Sequence, residues 1–337
     1  MRSLFHYGFL FSREWQQKRM QKVFHKIILP ARPQPDTIVA IFFLKNFGKE
    51  KYPGLVEAEI EILQELPKSE TPETLSEKGV MVLDLGGGKL DHHNQGKTLS
   101  QAVAEDLEII DNSAISKLLA YAERDDKHGK GTISNDQLDK AFGLSGLIAS
   151  LNKSLSDKPE KVIAYVLPFL AAHYNEEKKR TEELPKEYEE KLKQGKAEYF
   201  EVKDSRKKLK IVIIESDSVS MAGWLRSTLG VRADVVCQKT SSGYVNILTR
   251  PLKKVNLQML AAYLRIREAE LKNKYVESDI RNVLMSSRIP EVGEWYYDRA
   301  TNSILNGGTN PKGIEPTKIP LNEIKEIIKL AFLQREE

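Results

Sequence analysis

The segment Val82-Leu83-Asp84-Leu85-Gly86-Gly87-Gly88-Lys89-Leu90-Asp91-His92-His93 concentrates the residue types that hold divalent cations. Carboxylate oxygens and imidazole nitrogens suit manganese, magnesium or zinc. Three consecutive glycines allow a tight backbone turn, which would return Asp91, His92 and His93 to the rim where Asp84 sits. A second carboxylate pair, Asp125-Asp126, is followed at once by His128 and Gly129 and would add ligands. Each piece also has a bland reading. Adjacent histidines occur as surface imidazoles, a glycine run as a plain turn, and paired aspartates as the end of a helix. The glycines do not form a nucleotide-type phosphate loop, because no Gly-Lys-Ser/Thr follows them. Their chemical weight comes from standing together.

The surrounding elements supply a frame for these residues. Val80 to Leu85 is a short, continuously apolar strand, the pattern of a strand covered on both faces, and it ends in a carboxylate. Ligands in parallel α/β sheets gather outside the carboxyl ends of such strands. Lys26 to Pro30 is another strand candidate, and Ile38 to Phe47 reads as a buried helix with Asp36 or Thr37 as its cap. Helical periods follow over Ser113 to Glu123, Leu138 to Leu151 and Pro159 to Tyr174, which places Asp125-Asp126 in a loop after the first of these. Strand and helix in alternation predict an α/β fold: a parallel-sheet N-terminal metal domain over residues 21–175. Residues 176–208 are charge-dense and read as a charged helical linker, with a basic cluster at Arg206-Lys207-Lys208. Residues 209–337 then form a smaller α+β C-terminal domain. Its strands lie at Leu209–Ile214, Val231–Gln238 and Tyr244–Leu248, and its helices at Leu257–Lys272 and Leu321–Gln334.

Composition narrows the setting. The chain has 337 residues, 40% hydrophobic and 30% charged, enough for two core-forming domains. Fifty-two Lys+Arg against 48 Asp+Glu give a net charge of +4, which permits an anionic substrate without demanding nucleic acid. The single cysteine, Cys237, excludes an intrachain disulfide and a cysteine-based zinc cluster, and suits a reducing cytoplasm. No apolar run is long enough to span a membrane. Residues 1–20 read as a leader or disordered segment, with Met20 as an alternative start.

The order Asp36, strand-borne Asp84, Asp91-His92-His93 and Asp125 resembles the four-motif layout of the DHH phosphoesterase superfamily, over roughly residues 30–149. Asp36-Thr37-Ile38-Val39-Ala40 and the glycine-rich approach resemble its MYG-like nuclease branch. That resemblance implies a metal-dependent hydrolase of phosphoester or phosphoanhydride bonds, acting on a nucleotide, oligonucleotide or polyphosphate in an interdomain cleft. It implies manganese or magnesium, held by Asp36, Asp84, His92 and Asp125, with His93 stabilising the transition state or leaving oxygen and Asp91 orienting a histidine. One departure stands out. Where the family's first motif carries a histidine and a second aspartate, this chain has Arg32 and Ile38, and neither side chain binds a cation. The degenerate motif predicts one ion in place of two, assigns Arg32 to a substrate phosphate, and keeps open a catalytically impaired nucleotide- or nucleic-acid-binding protein. In the second domain, Gly307 and Gly308 would present backbone N–H groups to an anion, with a hairpin turn as the alternative. Arg265 and Arg288 are further candidates for phosphate, and Trp295-Tyr296-Tyr297 would stack bases or pack as a core strand. The expected partners are a phosphate-containing small molecule or single-stranded nucleic acid, with a homodimer left open.

Overall fold

The computed structural model describes residues 22–333 except 31, 94–95, 130–131, 205–206, 252–254, 275–279 and 308–312. The expected leader at 1–20, and Arg206 of the basic cluster, lie outside the described residues. The chain is α/β, with a parallel three-stranded sheet and a separate mixed sheet. It divides into two compact units at Lys178/Lys179.

In the first unit, β1 (Lys26–Leu29) leads into α1 (Pro35–Phe47), then β2 (Glu59–Ile62), α2 (Pro72–Glu77) and β3 (Val80–Val82). The sheet order is β2-β1-β3, all parallel, so β1 is central. Its residues Ile27, Ile28 and Leu29 are buried, as continuous apolarity requires of a strand covered on both faces. Next come α3 (Leu99–Asp106), a 3₁₀ turn (Ser113–Ile115), α4 (Ser116–His128), α5 (Gln137–Phe142), α6 (Leu144–Ser154) and α7 (Pro159–Lys178). α1 lies at the centre of this core, with every residue from Pro35 to Leu44 buried. It starts three residues earlier than its apolar run because Pro35 fits the first turn, where a missing N–H costs nothing. The single helix expected over Leu138–Leu151 is two helices. Gly143, extended at φ −63° and ψ 151°, ends α5 and begins α6.

The second unit opens with a π-helical turn (Lys179–Glu183) and α8 (Leu184–Lys193). β4 (Ala197–Asp204), β5 (Lys207–Glu215), α9 (Met221–Arg226), β6 (Val235–Lys239) and β7 (Val245–Thr249) follow. Beyond them are α10 (Gln258–Leu271), α11 (Ile280–Leu284), β8 (Ser287–Ile289), β9 (Val292–Asp298), β10 (Ser303–Asn306) and α12 (Leu321–Leu333). The seven strands run β4-β5-β6-β7-β10-β9-β8, with only β5–β6 parallel. The stretch 176–208 is therefore not a plain linker. β4 pairs along its whole length with β5 and forms one edge of the sheet, and Leu184 and Tyr188 of α8 are buried. Its charges mislead because an edge strand with one wetted face needs only alternate apolar residues. Trp295 and Tyr297 of β9 are buried, which settles that tripeptide as core strand.

Candidate metal centre

β3 and β1 are adjacent and parallel, so the loop after β3 and the helix after β1 open from the same edge of the sheet. Asp84 follows β3 with φ 57°, a left-handed conformation that Asp tolerates better than most side chains. Its N–H donates to Leu90 O at 2.8 Å and closes the glycine loop on itself. Gly86, at φ 77°, takes a left-handed conformation that favours glycine, and a Cβ there would also press on Leu66 Cδ1 at 2.7 Å. Gly87 donates its N–H to Asp91 Oδ2 at 2.8 Å, and Asp91 N donates to Gly88 O at 3.0 Å. The loop thus turns back and delivers the Asp-His-His tripeptide beside Asp84.

His92 Nδ1 lies 2.6 Å from Asp84 Oδ1, out of line for a hydrogen bond, so this buried nitrogen has no hydrogen-bond partner. His93 Nδ1 lies 2.8 Å from Asp91 Oδ1 and 3.3 Å from Asp84 Oδ1. The two rings stack with centroids 4.9 Å apart. Asp91 and Asp84 raise the pKa of His93, the hydrogen bond to Asp91 contributing most. For Asp91 itself, burial pushes the carboxyl up, but bonds from the His93 ring and from the Gly87 and His93 N–H groups outweigh it and hold the carboxyl low.

Asp36 sits in the first turn of α1, 4% exposed, and does not cap its own helix. It accepts the Leu99 N–H at 2.8 Å and the Ser100 N–H at 3.0 Å, two of the orphan donors at the start of α3. Burial, and secondarily Asp126, push its carboxyl above the ordinary range, against the pull of those bonds. A cation beside it would reverse that balance.

The donor atoms assemble in two overlapping groups. One ligand atom each from Asp84, His92 and His93 lies within 4.8 Å of the others, and so do atoms from Asp36, His92 and Asp126. The structure therefore brings Asp36, Asp84, Asp91, His92 and His93 together, and of the Asp125-Asp126 pair it places Asp126 in the group. α4 runs on to His128, so the pair lies on its last turn and not in a loop. Neighbouring residues on a helix point about 100° apart, and only one of the two faces the group. Asp125 instead lines a separate cavity of about 370 Å³.

Other sequence candidates resolve differently. Arg32 is exposed, and Ile38 is wholly buried in the core. Arg265 lies in the core of the second unit. It is fully buried, and its guanidinium donates to the carbonyls of Val283 (2.7 Å), Met285 (2.9 Å), Ser287 and Trp295 (3.3 Å). Arg288 is exposed, with its guanidinium over the Tyr296 ring at 5.7 Å. Gly307 adopts φ 84°, while Gly308 lies outside the described residues. Sequence reasoning missed Asp106 at the end of α3. This buried carboxylate accepts from Lys51 Nζ at 3.0 Å, from Tyr52 OH at 2.5 Å and from Lys89 of the glycine loop. No local pattern flags it, because its partners lie 17 to 55 residues away. Among the described residues no helix is long and apolar enough to cross a membrane.

No protein-family model and no curated protein matches the chain. Among solved structures it is similar to a pGpG-specific phosphodiesterase from Vibrio cholerae, at 8% identity and TM-score 0.26 over 72% of this chain and 88% of that one. It is also similar to an uncharacterized protein from Helicobacter pylori G27, at 13% identity and TM-score 0.23 over 92% and 99%. A third similarity is to the DHH domain of a member of a family of ribosomal proteins, at 12% identity and TM-score 0.28 over 92% and 86%. Overlaps this loose carry no argument about the chemistry, which rests on the residues.

Proposed function

We propose that the chain is a metal-dependent hydrolase of phosphoester or phosphoanhydride bonds. One observation supports this above the others: Asp36, Asp84, His92, His93 and Asp126, drawn from three separate stretches of sequence, bring their donor atoms together at one sheet edge. The donor set fits a divalent cation. It is all oxygen and imidazole nitrogen, and it contains a buried imidazole nitrogen with no hydrogen-bond partner. Asp84, His92 and Asp126 would hold the ion with Asp36. When bound, a divalent ion acidifies water and neutralises charge on phosphoryl oxygens. His93, tied through Nδ1 to Asp91, would keep Nε2 for a proton at the leaving oxygen. Asp91, pinned by two backbone N–H groups, fixes that imidazole's tautomer and direction.

The two donor groups share His92, and a neutral imidazole has one free lone pair. That sharing favours a single ion per chain, in keeping with residues at Ile38 and Arg32 that cannot ligate a cation. The same two positions favour the second reading, a nucleotide- or nucleic-acid-binding protein with impaired turnover. Metal analysis of the purified protein, coupled to a phosphate-release panel with manganese or magnesium, decides between them. One equivalent of metal with hydrolysis supports the hydrolase, one equivalent without hydrolysis supports the binding protein, and no retained metal refutes both.

A further inference from the structure

The cavity beside the metal centre has a character that the hydrolase reading does not use. It lies between the end of α4, α5, the start of α6 and the Gln34-Pro35 approach to α1. Two of its lining residues adjoin residues of the centre in sequence: Pro35 precedes Asp36, and Asp125 precedes Asp126. Its volume of about 370 Å³ falls at the small end of ligand sites, right for a small molecule and too small for a folded partner. Pro35, Leu144 and Ile148 make apolar walls. The side chains of Gln34, Asp125 and Lys140 also line it, and among the described residues none of the three makes a hydrogen bond or ion pair. Tyr121 adds an aromatic ring, its hydroxyl 2.8 Å from Ser145 Oγ.

We propose that this cavity seats the base of a nucleoside-bearing substrate, and that Asp125 selects a base offering N–H donors. The proposal deepens the phosphoester reading and rests on it for the position of the phosphoryl group. A polyphosphate has no apolar part to fill these walls, and its charge would be repelled by Asp125. A nucleobase is flat and apolar on its faces, and polar along its edge. An ionised carboxylate only accepts hydrogen bonds. Guanine offers two neighbouring N–H donors on one edge, whereas uracil offers a single N–H between two carbonyls that a carboxylate repels. Gln34 and Lys140 supply donors for a base carbonyl. The cavity should therefore prefer guanine to uracil.

The test titrates guanosine and uridine into the full-length protein in EDTA, read by calorimetry or ligand-observed NMR. Neither nucleoside carries phosphate and no metal is present, so the outcome does not depend on hydrolysis. Guanosine should saturate and bind at least about tenfold more tightly than uridine, the effect of one charge-assisted hydrogen bond. Asp125→Asn should remove most of that preference. Ala149→Trp, at an exposed lining position, should abolish binding while circular dichroism and metal uptake stay unchanged. Equal binding of the two nucleosides, no saturation by guanosine, or binding indifferent to both substitutions overturns the proposal. Wild-type selectivity carries the test if either variant misfolds. Hydrolysis of a generic aryl phosphodiester without guanosine binding sinks the base site alone. Guanosine binding without metal uptake or hydrolysis sinks the phosphoester reading alone.

Discussion

Replacing Asp106 with Asn should destabilise the first unit by about 2 kcal/mol, a figure that follows from its three partners. The side chain is 2% accessible and accepts from Tyr52, Lys51 and Lys89. A hydrogen bond to a charged group contributes about 1.5–3 kcal/mol and a neutral one about 1. The lysine side chains are 43% and 72% accessible, so solvent screening reduces each ion pair to roughly 0.5 kcal/mol. Asparagine keeps one acceptor for Tyr52, turns that bond from charged to neutral at about 1 kcal/mol, and loses both ion pairs. For a unit of this size the sum corresponds to about 4–8 °C in melting temperature. Dependence on pH supplies the control. Burial by itself would raise the Asp106 carboxyl, but the bonds from Lys89, Tyr52 and Lys51 outweigh it and hold the carboxyl below its ordinary value of 3.8. Its stabilisation is therefore complete above that ordinary value and is lost as pH falls through the lower folded value. Thermal melts of wild type and Asp106→Asn, compared from about pH 7 down to the acid limit of reversibility, should differ by a constant amount and then converge in acid. Equal melting at neutral pH, or a gap that widens in acid, would refute the reasoning.

Three further outcomes follow from the centre. Asp126→Asn should weaken manganese binding by more than the roughly 10- to 100-fold typical of outer-shell changes, while Asp125→Asn leaves it within about threefold; calorimetric titration reads both, and the reverse order would return Asp125 to the centre. Asp84→Asn should abolish metal binding yet leave the metal-free melt within about 0.5 kcal/mol, since Asn also tolerates the left-handed backbone; Asp84→Val should add about 1–2 kcal/mol of strain. Ile38→Asp should cost several kcal/mol in the melt and leave metal stoichiometry unchanged, because it buries a carboxylate in the core among apolar side chains.

The sequence revealed those parts of the fold whose signal is local. β1, β3 and α10 announced themselves through continuous or periodic apolarity, and the glycine turn with its Asp-His-His tripeptide through residue type. β2 went unread because its glutamates alternate with half-buried isoleucines at a sheet edge. β4 was hidden in the charge of its exposed face. Arg265 was misread because a helical arginine is ordinarily a surface residue, and only the converging carbonyls of α11, β8 and β9 make its burial tolerable. Asp125 and Asp126 could not be told apart, since the choice depends on the rotational setting of α4. None of these distances is visible within a window of a few residues.

The same limit explains why α3, which carries no candidate ligand, matters to the site. This eight-residue helix is held at both ends by the centre's own parts. At its start, Leu99 and Ser100 donate to Asp36, which comes from the segment after β1. At its end, Asp106 binds Lys89, which lies in the loop after β3 between Asp84 and Asp91. Each tie also answers a need of the helix. A carboxylate at the N-terminus satisfies orphan donors, and cations at the C-terminus oppose the dipole and the poorly placed charge of Asp106. Folding α3 therefore sets the separation between Asp36 and the Asp84 loop without contributing a ligand. A site whose ligands arise so far apart along the chain needs such a brace, because the loop that carries Asp84 would otherwise be free to part from Asp36 on the buried helix α1.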